Sequence, residues 1–243
     1  PYTTLFRSFS NNISLTQTLS RNSEDGFIWI RKGSQLSFTL QLTPPYSLFN
    51  NIDYKTAGDQ ERYKFIEYHK WKFSGSWFKE VGNKFVLNYK AGFGYLGYYN
   101  SRVGQSPFER FYVGGDGLSG FSFDGREIIA LRGYENTSIT PRNASGYIGG
   151  SVYNKYTLEL RYPVSLNPNA TIYALGFLEG GNNWYSIRDF DPLNIKRSAG
   201  FGARFFLPMF GLLGLDYGWG FDTIQNNPGA NKGHFHFTIG QQF

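Results

Sequence analysis

Across residues 35–43 the chain alternates with a period of two. Leu36, Phe38, Leu40 and Leu42 are apolar, while Gln35, Ser37, Thr39, Gln41 and Thr43 are polar. Successive side chains of a strand point to opposite faces, so this segment has one apolar and one wet face. Pro44 and Pro45 then stop it, because proline cannot donate to a ladder. The period recurs along most of the chain and restricts it to an all-β fold.

The other segments with this pattern are 12–20, 63–78, 84–95, 152–162, 171–184, 198–207, 213–221 and 233–243. In 152–162, Tyr156, Leu158, Leu160 and Tyr162 oppose Lys155, Thr157, Glu159 and Arg161. In 213–221, Leu215, Tyr217, Trp219 and Phe221 oppose Gly214, Asp216, Gly218 and Gly220. In the last segment Phe235, Phe237, Ile239 and the terminal Phe243 oppose His234, His236, Thr238 and Gly240. Segment 171–184 carries apolar residues on both faces, as a strand under an internal plug would. Turns are expected at 81–83, at Pro163 with 167–169, and at 208–211. This gives nine strands of roughly ten residues, the length a tilted membrane strand needs.

Composition decides between a membrane barrel and a soluble sandwich. Mean hydropathy is −0.40, and no run approaches the roughly 18 apolar residues of a membrane helix. A barrel escapes that criterion, because lipid-facing and lumen-facing residues alternate. Aromatics make up 19% of the chain and Gly contributes 30 residues. A sandwich exposes charge outside and buries branched aliphatics. Here each strand instead has a large apolar-aromatic face opposite glycine and small polar residues. The net charge of +6 is carried by singly spread Lys and Arg, which fits lumen and loop positions and carries no nucleic-acid signature. With no cysteine, disulfides and thiolate metal sites are excluded.

Nine strands cannot close an antiparallel barrel evenly, and open edges in lipid leave backbone groups unpaired. Further strands are therefore expected before Pro1, with residues 1–9 the tail of a preceding element. The chain reads as the C-terminal part of a larger barrel.

The longest interval without strand patterning, 101–150, contains Leu131, Arg132, Gly133 and Tyr134. An Arg between apolar residues and Gly-Tyr suggests a cation inserted at a specific place. Glu159 and Glu179, on later strand-like segments, are candidate acceptors: Arg offers a planar fork of donors that a carboxylate accepts in pairs. The expectation is a loop, 101–150, folded into the lumen and pinned there. Upstream lies Phe111-Tyr112-Val113-Gly114-Gly115; downstream lies Phe177-Leu178-Glu179-Gly180-Gly181.

In order and spacing these three motifs resemble the C-terminal barrel of the BamA family of outer-membrane assembly factors. That family carries a Phe-Tyr-x-Gly-Gly segment, a Val-Arg-Gly-Phe/Tyr loop tip and a Phe-x-Asp-x-Gly strand motif. Leu131 stands where the family has Val, and Glu179 where it has Asp. The resemblance implies the last nine of sixteen strands, with Arg132 bonded to acids on the inner wall. It implies a non-enzymatic function in the bacterial outer membrane: insertion and folding of nascent barrel proteins, among membrane lipids and accessory lipoproteins, with no cofactor. The terminal strand, with Phe235, Phe237, Ile239, Gly240 and Phe243, would then be one side of a weak seam that templates incoming strands, and Gly240 would weaken its closure. The aromatic terminus resembles the insertion signal shared by many outer-membrane barrels. Alternatives are a related translocation-assembly or two-partner secretion transporter and, in another class, a passive porin. His234 and His236 share a face, but two ligands make a poor metal site; lumen polarity is the simpler reading. No nucleophile–base–acid set or phosphate loop is present, and Glu159 and Glu179 read as charge acceptors, not as a catalytic pair.

Overall fold

The computed structural model describes residues 10–82, 84–117, 126–209, 211–225 and 227–240. Among the described residues, four short strands lie between the fourth and fifth strands of the main sheet and take the numbers in between. The main sheet runs in the order β1 (Leu15–Asn22), β2 (Gly33–Leu42), β3 (His69–Val81), β4 (Phe85–Gly97), β9 (Val152–Asn167), β10 (Ala170–Trp184), β11 (Lys196–Leu207), β12 (Gly211–Gly220) and β13 (His234–Ile239). All its pairings are antiparallel. The nine strands read from the alternation are thus the nine strands of one sheet. Among the described residues β1 pairs only with β2 and β13 only with β12, so the sheet is a partial barrel.

The alternation sorts the two faces as its chemistry requires. On β9 Leu158, Leu160 and Tyr162 are exposed outward, while Thr157, Glu159 and Arg161 are buried inward. Phe201, Leu215, Trp219, Phe235 and Phe237 add to the exposed apolar face. Such a continuous apolar exterior suits hydrocarbon, not water. Among the described residues no helix is long and apolar enough to cross a membrane; the one α-helix, α1 (Asp59–Arg62), is a single turn.

The described parts of the 98–151 connection, residues 98–117 and 126–151, fold onto the inner face. Within it β5 (Phe111–Val113) pairs in parallel with β6 (Glu127–Ile129), and β7 (Arg142–Asn143) pairs with β8 (Gly146–Tyr147). The connection has its own apolar core: Phe111, Val113, Leu131, Tyr134 and Ile139 pack with Leu96 and Tyr153 of the wall and with Ile66 and Tyr68 of the neighbouring rim loop. From the opposite end of the strands, segment 23–32 also turns inward. The Trp29 ring lies tilted against Tyr173, centroids 5.4 Å apart, and Ile30 packs with Phe78 and Val86. That explains the two apolar faces of β10, since Trp29 covers the inward Tyr173, Leu175 and Phe177 cluster.

Most strand limits shift by a few residues from the sequence expectation, and three of the differences have a visible cause. Residues 63–68 belong to the rim loop, because buried Glu67 accepts hydrogen bonds from the Ser47 amide and hydroxyl and the Tyr68 amide donates to Thr43 Oγ1. β9 does not turn at Pro163 but runs to Asn167. Pairing with β4 ends at Arg161, and a register shift between Ile172 and Tyr173 absorbs the proline. β13 ends at Ile239, where Gly240 at φ 84° bends the chain while its amide donates to the Leu212 carbonyl. Phe243 lies outside the described residues.

Candidate functional site

Arg132 sits at the inner wall, 7% exposed, among carboxylates from three strands. Its Nε and Nη2 donate to Glu179 Oε1 at 3.1 and 2.8 Å, and its backbone amide donates to Glu179 Oε2 at 2.8 Å. Nη2 also donates to Glu159 Oε1 at 2.9 Å, and Nη1 to Asp216 Oδ2 at 3.3 Å. Because Glu179 takes both backbone and side chain of one residue, it fixes the position of the loop as well as its charge. The additional methylene of Glu, relative to Asp, does not prevent this double acceptance.

The wall acids are shared with wall bases. Arg161 donates twice to Glu159 Oε2, at 2.9 and 2.6 Å. Arg204 forms a fork on Asp216 at 2.7 and 2.8 Å. Thr157 Oγ1 donates to Glu179 Oε1, and Lys155 Nζ lies 3.4 Å from the same oxygen. The cluster is therefore one bonded network with every carboxylate oxygen committed, the condition under which buried ions are tolerated.

The tip needs its glycine. Gly133 has φ 85°, and a Cβ there would stand 2.8 Å from Ser198 Cβ and from the Trp219 carbonyl carbon. Gly218 on the wall is equally constrained, since its Cβ would lie 2.9 Å from the Gly133 amide nitrogen. The glycine-rich wet face of β12 thus makes room for the loop. Tyr134 is fully buried, and its hydroxyl donates to the Arg197 carbonyl at 2.6 Å. Burial pushes its phenol up to about 12, so it stays a neutral donor.

The upstream segment lies alongside the tip. Gly115 bridges Leu131, whose amide donates to the Gly115 carbonyl at 3.0 Å. Gly114 and Gly115 both adopt positive φ. Phe111 and Tyr112 are buried; Phe111 meets the Tyr153 ring at 4.7 Å, and its carbonyl accepts from Asn183 Nδ2. Phe177 lies beneath the Arg132 guanidinium, and Gly181 lies against Leu131. The structure so brings Leu131, Arg132, Gly133, Tyr134, Glu159, Glu179, Phe111, Tyr112, Gly114, Gly115, Phe177 and Gly181 together. Phe235, Phe237 and Ile239 sit apart on the exposed face of β13, with Gly240 at its end.

Across residues 3–243 the sequence fits the Omp85 superfamily domain. The chain belongs to the Omp85 superfamily. A solved structure of BamA from Haemophilus ducreyi lacking POTRA domains 1–3 has the same fold, with a TM-score of 0.65 at 20% identity; the match covers 93% of this chain and 41% of that one. This chain thus spans less than half the length of that protein. No curated protein matches it by sequence. Membership of an outer-membrane protein family accounts for the apolar exterior of the sheet.

The sequence does not single out Asp216, Arg161 and Arg204 as site residues, and it marks His236 only as a lumen-polar residue beside His234. Each lies on a wet face recognisable from the alternation. What the alternation lacks is the register that places β12 and β13 beside the loop tip.

Proposed function

We propose that this chain is the C-terminal part of a barrel that inserts and folds β-barrel proteins in the bacterial outer membrane. Upstream strands and periplasmic domains would complete it, and accessory lipoproteins would assist it. The observation that carries the reading is the Arg132 loop tip, held by Glu159, Glu179 and Asp216 inside an Omp85 sheet. A loop anchored across the lumen is of little use to a pore but leaves β13 free to be the working surface. β13 offers its outer edge, whose N–H and C=O groups can pair with an incoming strand. No catalytic step is required: the work is strand exchange in lipid.

Photo-cross-linkers placed along β13 should capture an arrested substrate barrel in cells. Failure at every position from His234 to Ile239 would count against the reading. A porin would instead conduct freely with its loop intact, whereas here conductance should be low and should rise when the 126–140 segment is removed.

A further inference from the structure

His236 is buried on the inner face of β13, 3% exposed, and its Nε2 accepts the Gly133 amide hydrogen at 2.8 Å. This bond joins the loop tip to β13; among the described residues the Arg132 side-chain bonds reach β9, β10 and β12. A backbone N–H can only donate, so Nε2 must carry a lone pair and the ring must be neutral. In the imidazolium both nitrogens are donors, and the contact becomes donor against donor.

We propose that His236 is a positioning residue that ties the loop tip to the terminal strand only while its ring is unprotonated. The inference rests on the anchored-loop reading and adds a regulatory tie to it. The wall acids nearest the ring are already engaged by other donors. Asp216, its cross-strand neighbour, already receives Arg204 and Arg132. Glu179 of β10 is taken by Arg132 and Thr157. Asp116 lines the same small cavity from the loop and also acts on the ring. On the opposing side stand Arg132 and Arg204, with Lys90 and Lys155 across the cavity; His234 sits on the same strand, 6.1 Å ring to ring. Docking selects the neutral ring, so it weakens as pH falls through the range where histidine titrates, about 6.5 for a free side chain.

The test is hydrogen exchange of peptides covering 131–134 in the protein embedded in lipid nanodiscs, at pH 8 and pH 5, each normalised to the intrinsic rate. Wild type should lose about tenfold in protection at pH 5, the worth of one hydrogen bond. His236→Gln, which keeps a neutral acceptor, should be equally protected at both pH values; His236→Phe should be weakly protected at both. A wild type indifferent to pH, or a His236→Gln variant with the wild-type pH response, overturns the proposal. Arg132→Ala separates the two layers. If it leaves the tip protected, the anchored-loop reading itself fails; if it exposes the tip while the His236 variants change nothing, only the histidine tie fails.

Discussion

The Phe177 ring lies 3.7 Å from the Arg132 guanidinium carbon, face on, two residues before the carboxylate that grips the same side chain. Residues 177 and 179 share one face of β10, so a single strand supplies both the apolar seat and the counter-charge. The ring orients the planar fork so that its edges meet Glu179, Glu159 and Asp216. Phe177→Leu keeps an apolar seat but removes the quadrupole. Loop docking should weaken by about 1–2 kcal/mol, seen as faster exchange at the tip with the sheet intact.

Arg132→Ala strands Glu159, Glu179 and Asp216 in a buried cluster. The expected loss is about 3–5 kcal/mol in a denaturant titration of the folded barrel. Arg132→Lys should recover little of it, because a point charge cannot meet three carboxylates along a planar fork. Equal stability of the lysine variant and wild type would remove the fork from the account.

Two glycine substitutions separate close approach from general loss of flexibility. Gly133→Ala must fit a Cβ 2.8 Å from the wall at φ 85° and should dislodge the tip. Gly176→Ala meets nothing nearer than the Gly200 carbonyl oxygen at 3.9 Å and should fold as wild type. The comparison is read by proteolysis of the 126–150 segment in folded protein.

Acid should loosen the loop at a second point. Lys70 and Lys72 lie 2.8 and 3.1 Å from the Glu127 carboxylate. Burial alone would raise the Glu127 pKa, but the two ammonium groups outweigh it and hold the carboxyl below its ordinary range. A depressed folded pKa contributes stability above the unfolded value of about 4.3 and loses it as pH falls through the folded value. Exchange protection of 126–129 should therefore drop only below that range. Glu127→Gln should be less protected at neutral pH and lack the acid step.

The sheet was legible because its signal is local: residues 35–43 announce two faces without reference to any neighbour. The loop anchor was legible through the Leu131–Tyr134 motif and its two downstream glutamates. Asp216 and His236 were harder. Both sit in strands whose wet faces look like ordinary lumen, and only their pairing through β12 and β13 sets them beside Arg132 and Gly133. Pro163 misled for a different reason. Proline ends a strand that is paired on both sides, but β9 there has lost its β4 neighbour. The inward fold of 23–32 left its mark in the apolar inner face of β10, which shows that something covers the strand but not which segment does.

The central claim is that a cation from a loop is held inside the sheet by three wall carboxylates. A density map of the protein in lipid nanodiscs tests it most directly. The account predicts the Arg132 guanidinium within hydrogen-bonding distance of Glu179 and Glu159, over the Phe177 ring; a side chain found beyond the strand ends, away from all three acids, would contradict it.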